Sequence, residues 1–206
     1  MILVDVEQRS PEWLALKRGV ISASNADRLL TPAKLKEYAL ELAAERLARE
    51  TPAQAVSLAM QWGIDHEENA RLRYAFECDV DVYGVGFAWH DDHEGWAGCS
   101  PDGLVSPDGL VEIKCPSPKR HLEYLSSGEC PKEYAAQVQF QLWVTGHAWC
   151  DFVSYDPRFD VGDFFVVRVD RDEALIAKLA EGAAACRKLI LGYIASAHAL
   201  ARKEAA

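Results

Sequence analysis

Asp102 stands ten residues before Glu112, and one residue separates Glu112 from Lys114, all within the stretch from Ser100 to Pro116. Asp108-Gly109, preceded by Pro107, is a tight-turn signal between two short apolar runs, Leu104-Val105 and Leu110 to Ile113, so a β-hairpin is expected. Alternate side chains of a strand share a face. Glu112 and Lys114 therefore point one way while Ile113 points the other, into a core. Folding the hairpin carries Asp102 across toward Glu112. Two carboxylates with a third or fourth oxygen nearby suit a hard cation, Mg2+ or Mn2+, with Lys114 beside it. The same residues also suit an exposed hairpin carrying an ordinary Glu/Lys ladder.

The elements that must position these residues can be read from periodicity. Good helix formers from Ala33 to Arg49 predict a helix ending before Pro52, and a second helix is expected over about Ala53 to Glu77. Alternation through Val80, Val82, Val85 and Phe87 predicts a strand, Trp96 to Cys99 another, and the hairpin two more. Pro118 opens a helix running to Leu125, which Gly128 and Pro131 break. Glu133 to Val144 reads as a buried helix carrying Gln137, Gln139 and Gln141, and strands follow at Trp149–Tyr155 and Phe164–Val169. Leu175, Leu179, Ala183, Cys186, Ile190 and Tyr193 recur at helical steps and predict a long amphipathic C-terminal helix. This order implies an α/β (α+β) fold with a central mixed sheet flanked by helices.

The 206 residues suit a single domain with a full core, and no apolar run approaches a membrane span. The N-terminus has neither the basic region nor the cleavage site of a leader, so a soluble, cytoplasmic protein is expected. Six scattered cysteines have no zinc or iron-sulfur spacing and read as reduced, buried thiols. Six scattered histidines offer no competing ligand set, and the six tryptophans read as core. A net charge of -10 argues against a surface coated for nonspecific nucleic-acid binding. It leaves room for a small cationic lining, and Lys17, Arg18, Lys114, Lys119, Arg120 and Lys132 fall in or near the informative segments.

Four local patterns occur together: Trp13 with Lys17-Arg18-Gly19-Val20-Ile21-Ser22-Ala23-Ser24, Trp62-Gly63-x-x-x-Glu67, Ser100-Pro101-Asp102-Gly103 with Glu112-Ile113-Lys114-Cys115-Pro116, and Ala136-Gln137-Val138-Gln139 with Trp143-Val144-Thr145. Together they resemble the family of lambda-exonuclease-like and YqaJ-type viral recombinases, from about Ser10 to about Asp172 and including Tyr155-Asp156-Pro157-Arg158. The resemblance implies a restriction-endonuclease-like fold, with a core over about residues 10–172 and a C-terminal helix over about 172–201. It also implies a Mg2+-dependent 5'-to-3' exonuclease, using two ions with Mn2+ able to substitute, that resects double-stranded DNA ends. A homotrimeric ring, a single-strand annealing protein as partner, and a phage or prophage gene in a bacterial cytoplasm belong to the same expectation.

Carried onto this chain, the resemblance makes Asp102 and Glu112 metal ligands, adds the Ile113 backbone carbonyl, and gives Lys114 the task of orienting or activating water. Glu67 becomes a further carboxylate for the second ion, although on its own residues it reads as a solvated helix carboxylate. Gln137 faces the cluster, where an amide can bond a water or phosphate oxygen without adding charge. Gln139 and Gln141 are expected to turn away, toward solvent or a neighbouring subunit. Ser24 belongs to a 5'-phosphate pocket, and Ser22 is expected to cap a helical segment beginning near Asn25. Lys17, Arg18, Ser24 and Arg120 form the expected substrate-binding set. The family pattern has Arg where this chain has Lys17, so Lys17 and Arg18 are expected to share the end phosphate. Two alternatives stand beside this reading: a repair or restriction-type endonuclease of the same fold, and a noncatalytic DNA-end-binding subunit.

Overall fold

The computed structural model describes residues 1–49 and 56–204. Strand β1 (Ile2–Val4) is followed by helix α1 (Pro11–Lys17), in which Ser10 accepts the Trp13 N–H at 3.2 Å and Pro11 takes a first-turn position. Next come β2 (Ile21–Ser22), a 3-10 helix (Ala23–Leu30), and α2 (Pro32–Leu47). The predicted stop before Pro52 and the predicted helix start at Ala53 lie outside the described residues. Helix α3 (Leu58–Cys78) begins on a Ser57 cap and ends at Asp79, which adopts a left-handed conformation with φ 51°.

The alternation from Val80 to Phe87 does not make one strand. It divides into β3 (Val82–Tyr83) and β4 (Phe87–Trp89), which belong to different sheets. Gly86 marks the division, because there the chain passes so close to the backbone of Val6 that a Cβ would sit 2.0 Å from the Val6 carbonyl oxygen. The expected single central sheet is likewise two. After β5 (Ala97–Cys99) the chain turns through Ser100, Pro101 and Asp102 into β6 (Gly103–Val105), and Pro101 has no N–H with which to continue a ladder. One sheet has the order β1-β4-β5-β2; the other runs β3-β6 and continues through β7 (Gly109–Lys114), β8 (Trp149–Tyr155) and β9 (Phe164–Asp170).

The β6–β7 hairpin pairs Val105 with Gly109, so Ser106 to Asp108 form its loop and Gly109 lies in the strand. Its glycine is required by space, since a Cβ there would sit 2.2 Å from the ring of Trp149. Strands β7 and β8 are parallel, with Glu112 opposite Phe152. Parallel neighbours need a long crossover, supplied here by α4 (Pro118–Ser127) and α5 (Lys132–Thr145). Val111 and Ile113 pack with Ala70, Tyr74 and Val153 on the α3 side, while Leu110 packs with Val138, Leu142 and Cys150 on the α5 side. Glu112 and Lys114 share the face of Leu110 and so look toward α5.

The C-terminal helix α6 (Glu173–Glu204) opens on Asp172, whose carboxylate accepts the N–H groups of Ala174 and Leu175 at 3.0 Å. Its Leu179, Ala183, Cys186 and Ile190 close the core formed with Leu29, Tyr38 and Leu42. All six cysteines are unpaired; Cys99, Cys150 and Cys186 are buried and the others half-buried. No helix among the described residues is long and apolar enough to cross a membrane.

The contact at Gly86 gives a direct check on this packing. Gly86→Ala should destabilise the protein by roughly 2–3 kcal/mol, because the added methyl meets backbone and cannot be relieved by a side-chain rotation. Chemical denaturation measures it; a change below about 0.5 kcal/mol would mean that the N-terminal segment does not lie against Gly86.

Candidate active site

A cleft of about 580 Å3 opens along the seam between the two sheets. Asp102, Glu112, Ile113, Lys114, Glu67 and Gln137 line it, as do Lys17, Ser22 and Ser24. The hairpin register sets Gly103 against Val111, which leaves Asp102 beside Glu112 at the end of the ladder, and Asp102 Oδ2 accepts the Ile113 N–H at 2.6 Å. Glu112 is only 2% exposed. Its Oε1 accepts from both Lys114 Nζ and Gln137 Nε2, and its Oε2 accepts from Gln141 Nε2 at 2.6 Å.

Two carboxylates held this close resist ionising together. Burial first, and then the charge of Glu112, push the Asp102 carboxyl well above the usual range, with Lys114 and the Ile113 N–H only partly opposing them. At Lys114 burial acts to lower the pKa, but the charges of Glu112 and Asp102 outweigh it and raise the ammonium's pKa above its ordinary value. Lys114 is thus a hydrogen-bond donor and a firmly held cation in this arrangement, already engaged with Glu112.

Helix α3 brings Glu67 to the cleft wall and turns Asp65 and Glu68 outward, to Gln61 and Arg71. The Glu67 carboxylate pairs with Arg9, a residue the sequence reading passed over, which reaches it from the N-terminal segment with φ 70°. Among the described residues, no three His, Cys, Asp or Glu side chains gather closely enough to hold a metal ion by themselves. The donor set still fits a hard cation. It is all oxygen, it includes two adjacent carboxylates, and the repulsion that adds to burial in raising the pKa of Asp102 is what a divalent ion would relieve.

On the other side of the seam, Lys17 lies at the end of α1 with Nζ 3.9 Å from the centre of the Trp13 ring, and burial lowers its pKa. Ser22 does not cap the helical turn that follows it. Its hydroxyl instead lies 3.3 Å from that of the exposed Ser24 and accepts from the Asn25 amide at 3.4 Å. Arg18 is not a partner for Lys17: its guanidinium turns from the cleft to the carbonyls of Glu45 and Arg49, at the C-terminal end of α2 where helix carbonyls lack partners. Arg120 also lies off the cleft, paired with Glu133 and the Tyr124 hydroxyl.

Gln139 and Gln141 are both buried, contrary to the expectation that they turn to solvent or to another subunit. Gln139 bonds the Asp170 carbonyl and the Asp172 N–H at the base of α6. Gln141 lies one turn beyond Gln137, and residues four apart share a helix face, so the two necessarily approach Glu112 together. Tyr134, Gln137 and Gln141 form one stripe along α5, a spacing visible in the sequence itself.

Cys115 follows Lys114 at the cleft wall, and burial together with the charges of Glu67, Asp102 and Asp156 pushes its thiol up to about 12. Its thiolate fraction at pH 8 is then roughly one in ten thousand, against about a quarter for an ordinary thiol. Peptide mapping after iodoacetamide at pH 8 should find Cys115 alkylated at least a hundredfold more slowly in the folded protein than in urea. Equal rates would contradict the burial of Cys115 beside these carboxylates.

The sequence profile of the YqaJ-like viral recombinase domain matches residues 12–148. The chain resembles the crystal structure of an alkaline exonuclease from Laribacter hongkongensis, with 39% identity, TM-score 0.86, and 94% of this chain and 99% of that one covered; the same enzyme in complex with dAMP aligns with TM-score 0.88 and 38% identity. A phage-related exonuclease from Haemophilus somnus shares the fold, at TM-score 0.67 and 14% identity over 86% of this chain and 96% of that one. An uncharacterized protein of Acanthamoeba polyphaga mimivirus is 28% identical over 71% of this chain, which spans 29% of that protein's length.

Proposed function

The chain belongs to the YqaJ-like viral recombinase family, and on that premise we propose that it is a Mg2+-dependent 5'-to-3' exonuclease that resects double-stranded DNA ends and leaves a 3' strand for an annealing protein. The fold is of the restriction-endonuclease-like class expected from the sequence. The observation that carries the proposal is the meeting of Asp102, Glu112 and Lys114 with Lys17 and Ser24 in one cleft. It joins a place for a hard cation to a place for a terminal phosphate. The relative from Laribacter binds dAMP, a 5'-mononucleotide of the kind that hydrolysis from an end releases. Assembly as a homotrimer and cooperation with an annealing partner rest on the family resemblance.

Asp102 and Glu112, with the Ile113 carbonyl and Glu67, are the residues proposed to hold the divalent ions. When bound, such ions lower the pKa of water and offset charge on the leaving oxygen of a phosphodiester. Each side chain has its own part. Lys114, cationic and half-buried, would hold the attacking oxygen or a phosphate oxygen by donation, and Gln137 would add a neutral donor beside it. Glu67 is paired with Arg9; releasing it would free a guanidinium at the cleft rim for the DNA backbone. Lys17 is the only cation from the expected end-phosphate set that lines the cleft, and a bound phosphate would restore the charge that burial disfavours.

On linear duplex with Mg2+, the protein should release mononucleotides from the 5' end. Asp102→Ala and Glu112→Ala should each lower the rate by roughly a thousandfold or more, about 4 kcal/mol of lost transition-state stabilisation, while leaving a folded protein. Lys114→Ala should fall comparably yet still bind metal. Activity of either carboxylate variant within tenfold of the parent, or internal cuts in a circular substrate, would sink this reading.

The end-phosphate assignment has a separate test in the ratio of initial rates on 5'-phosphorylated and 5'-hydroxyl duplex. The ratio should exceed one, weaken with salt, and collapse in Lys17→Ala while surviving in Arg18→Ala, whose guanidinium serves the end of α2. Since the pKa of Lys17 is lowered, the preference is complete below that pKa and should fade with rising pH sooner than an ordinary lysine would allow. A ratio unchanged in Lys17→Ala would move the phosphate pocket elsewhere.

A further inference from the structure

Gln141 is 1% exposed and lies against Glu112, itself 2% exposed. Its amide orientation is dictated by chemistry, because only the NH2 end can face a carboxylate. Nε2 donates to Glu112 Oε2 at 2.6 Å, which leaves the Gln141 carbonyl oxygen buried and without a partner in the described structure. Packing alone does not account for an amide in this position. A methionine or leucine would fill the same length of helix without stranding a buried acceptor.

The stranded oxygen finds its reason on the other end of the amide. A carboxylate torsion is broad and close to two-fold, so Glu112 could rotate about its last bond if nothing held it. Gln141 ties Oε2 on the inner side, and Oε1 is thereby the oxygen shared by Lys114 and Gln137 at the cleft wall. The tie comes from the middle of α5, where Val138, Leu142 and Val144 are all buried, so the donor is held by a packed helix.

We propose that Gln141 is a positioning residue, holding Glu112 Oε2 so that Oε1 is presented to the cleft, and that this hydrogen bond sets the cleft's affinity for a divalent cation. The inference rests on the nuclease reading above and goes beyond it in assigning metal affinity to a side chain that is not a ligand. Residues that orient a metal ligand through a hydrogen bond typically change affinity or activity by about 10–100-fold when removed.

The test uses Gln141→Met, which keeps length and removes the donor, and Gln141→Asn, which keeps the amide but is too short to reach. Calorimetric titration of Mg2+ and of Mn2+ into DNA-free protein should give an affinity about 10–100-fold below the parent for both variants, with thermal unfolding still cooperative. On duplex DNA, kcat at a fixed low Mg2+ concentration should fall, KM for DNA should change less than about twofold, and the rate should recover as Mg2+ is raised. A merely structural role would not be rescued by metal. Unchanged cation affinity in the variants, or a lost rate that metal does not restore, would overturn the proposal. If Gln141→Met fails to fold, Gln141→Asn decides alone. A parent protein that binds no divalent cation and cleaves no DNA would instead sink the nuclease reading itself, and this inference with it.

Discussion

A carboxylate taken out of water must be supplied with donors, and Glu112 is the buried carboxylate around which this fold is arranged. Leaving a charge of that size unpaired in the interior costs several kcal/mol. Lys114, two residues on, supplies one donor because strand alternation returns it to the same face. Gln137 and Gln141 supply the others because a helical turn brings both to one stripe. Strand and helix periodicities thus converge on one group, and the crossover through α4 and α5 is what brings them face to face.

The donors do not remove the electrostatic difficulty; they localise it. Asp102 is pinned beside Glu112 by the Ile113 N–H, and burial, together with the charge of Glu112, raises its pKa. Lys114 offsets part of it but belongs mainly to Glu112. What remains is a recess in which two adjacent carboxylates, Asp102 and Glu112, share Lys114 as their nearby cation, inside a protein whose net charge is -10. Such a recess draws divalent cations, and a polyanion could be admitted only through local positive groups such as Lys17 at its far side.

Much of this was legible in the chain because it is local. The hairpin, the shared face of Glu112 and Lys114, and the approach of Asp102 follow from period two and a turn signal over about a dozen residues. The later helices and strands also follow from period and punctuation. Other features depend on contacts that no window contains. The alternation from Val80 to Phe87 looks like one strand until the close passage of Val6 at Gly86 divides it between sheets. Arg9 finds Glu67 across 58 positions, and Arg18 finds the end of α2 across 27. Strands β1 and β2 and helix α1 are too short for periodicity to register. Gln141 is a different case, since its spacing of four from Gln137 was in plain view and needed only the helical repeat applied to it.

The corner at Ser100, Pro101 and Asp102 has a metrical consequence. Cys99 ends a strand of one sheet and Gly103 begins a strand of the other, so three residues join the wall that carries Lys17 and Ser24 to the wall that carries the carboxylates. Trp13 reaches from α1 to the Ser100 hydroxyl at 2.8 Å, and Gln8 reaches the Pro101 carbonyl at 3.2 Å, bracing the corner from the phosphate side. The two walls are therefore joined through a short corner held by hydrogen bonds from both α1 and the N-terminal segment. On the proposed reading, a strand anchored by its terminal phosphate on one wall reaches the carboxylates on the other across this corner, so that three residues of backbone separate the hold on the end from the place of the cut.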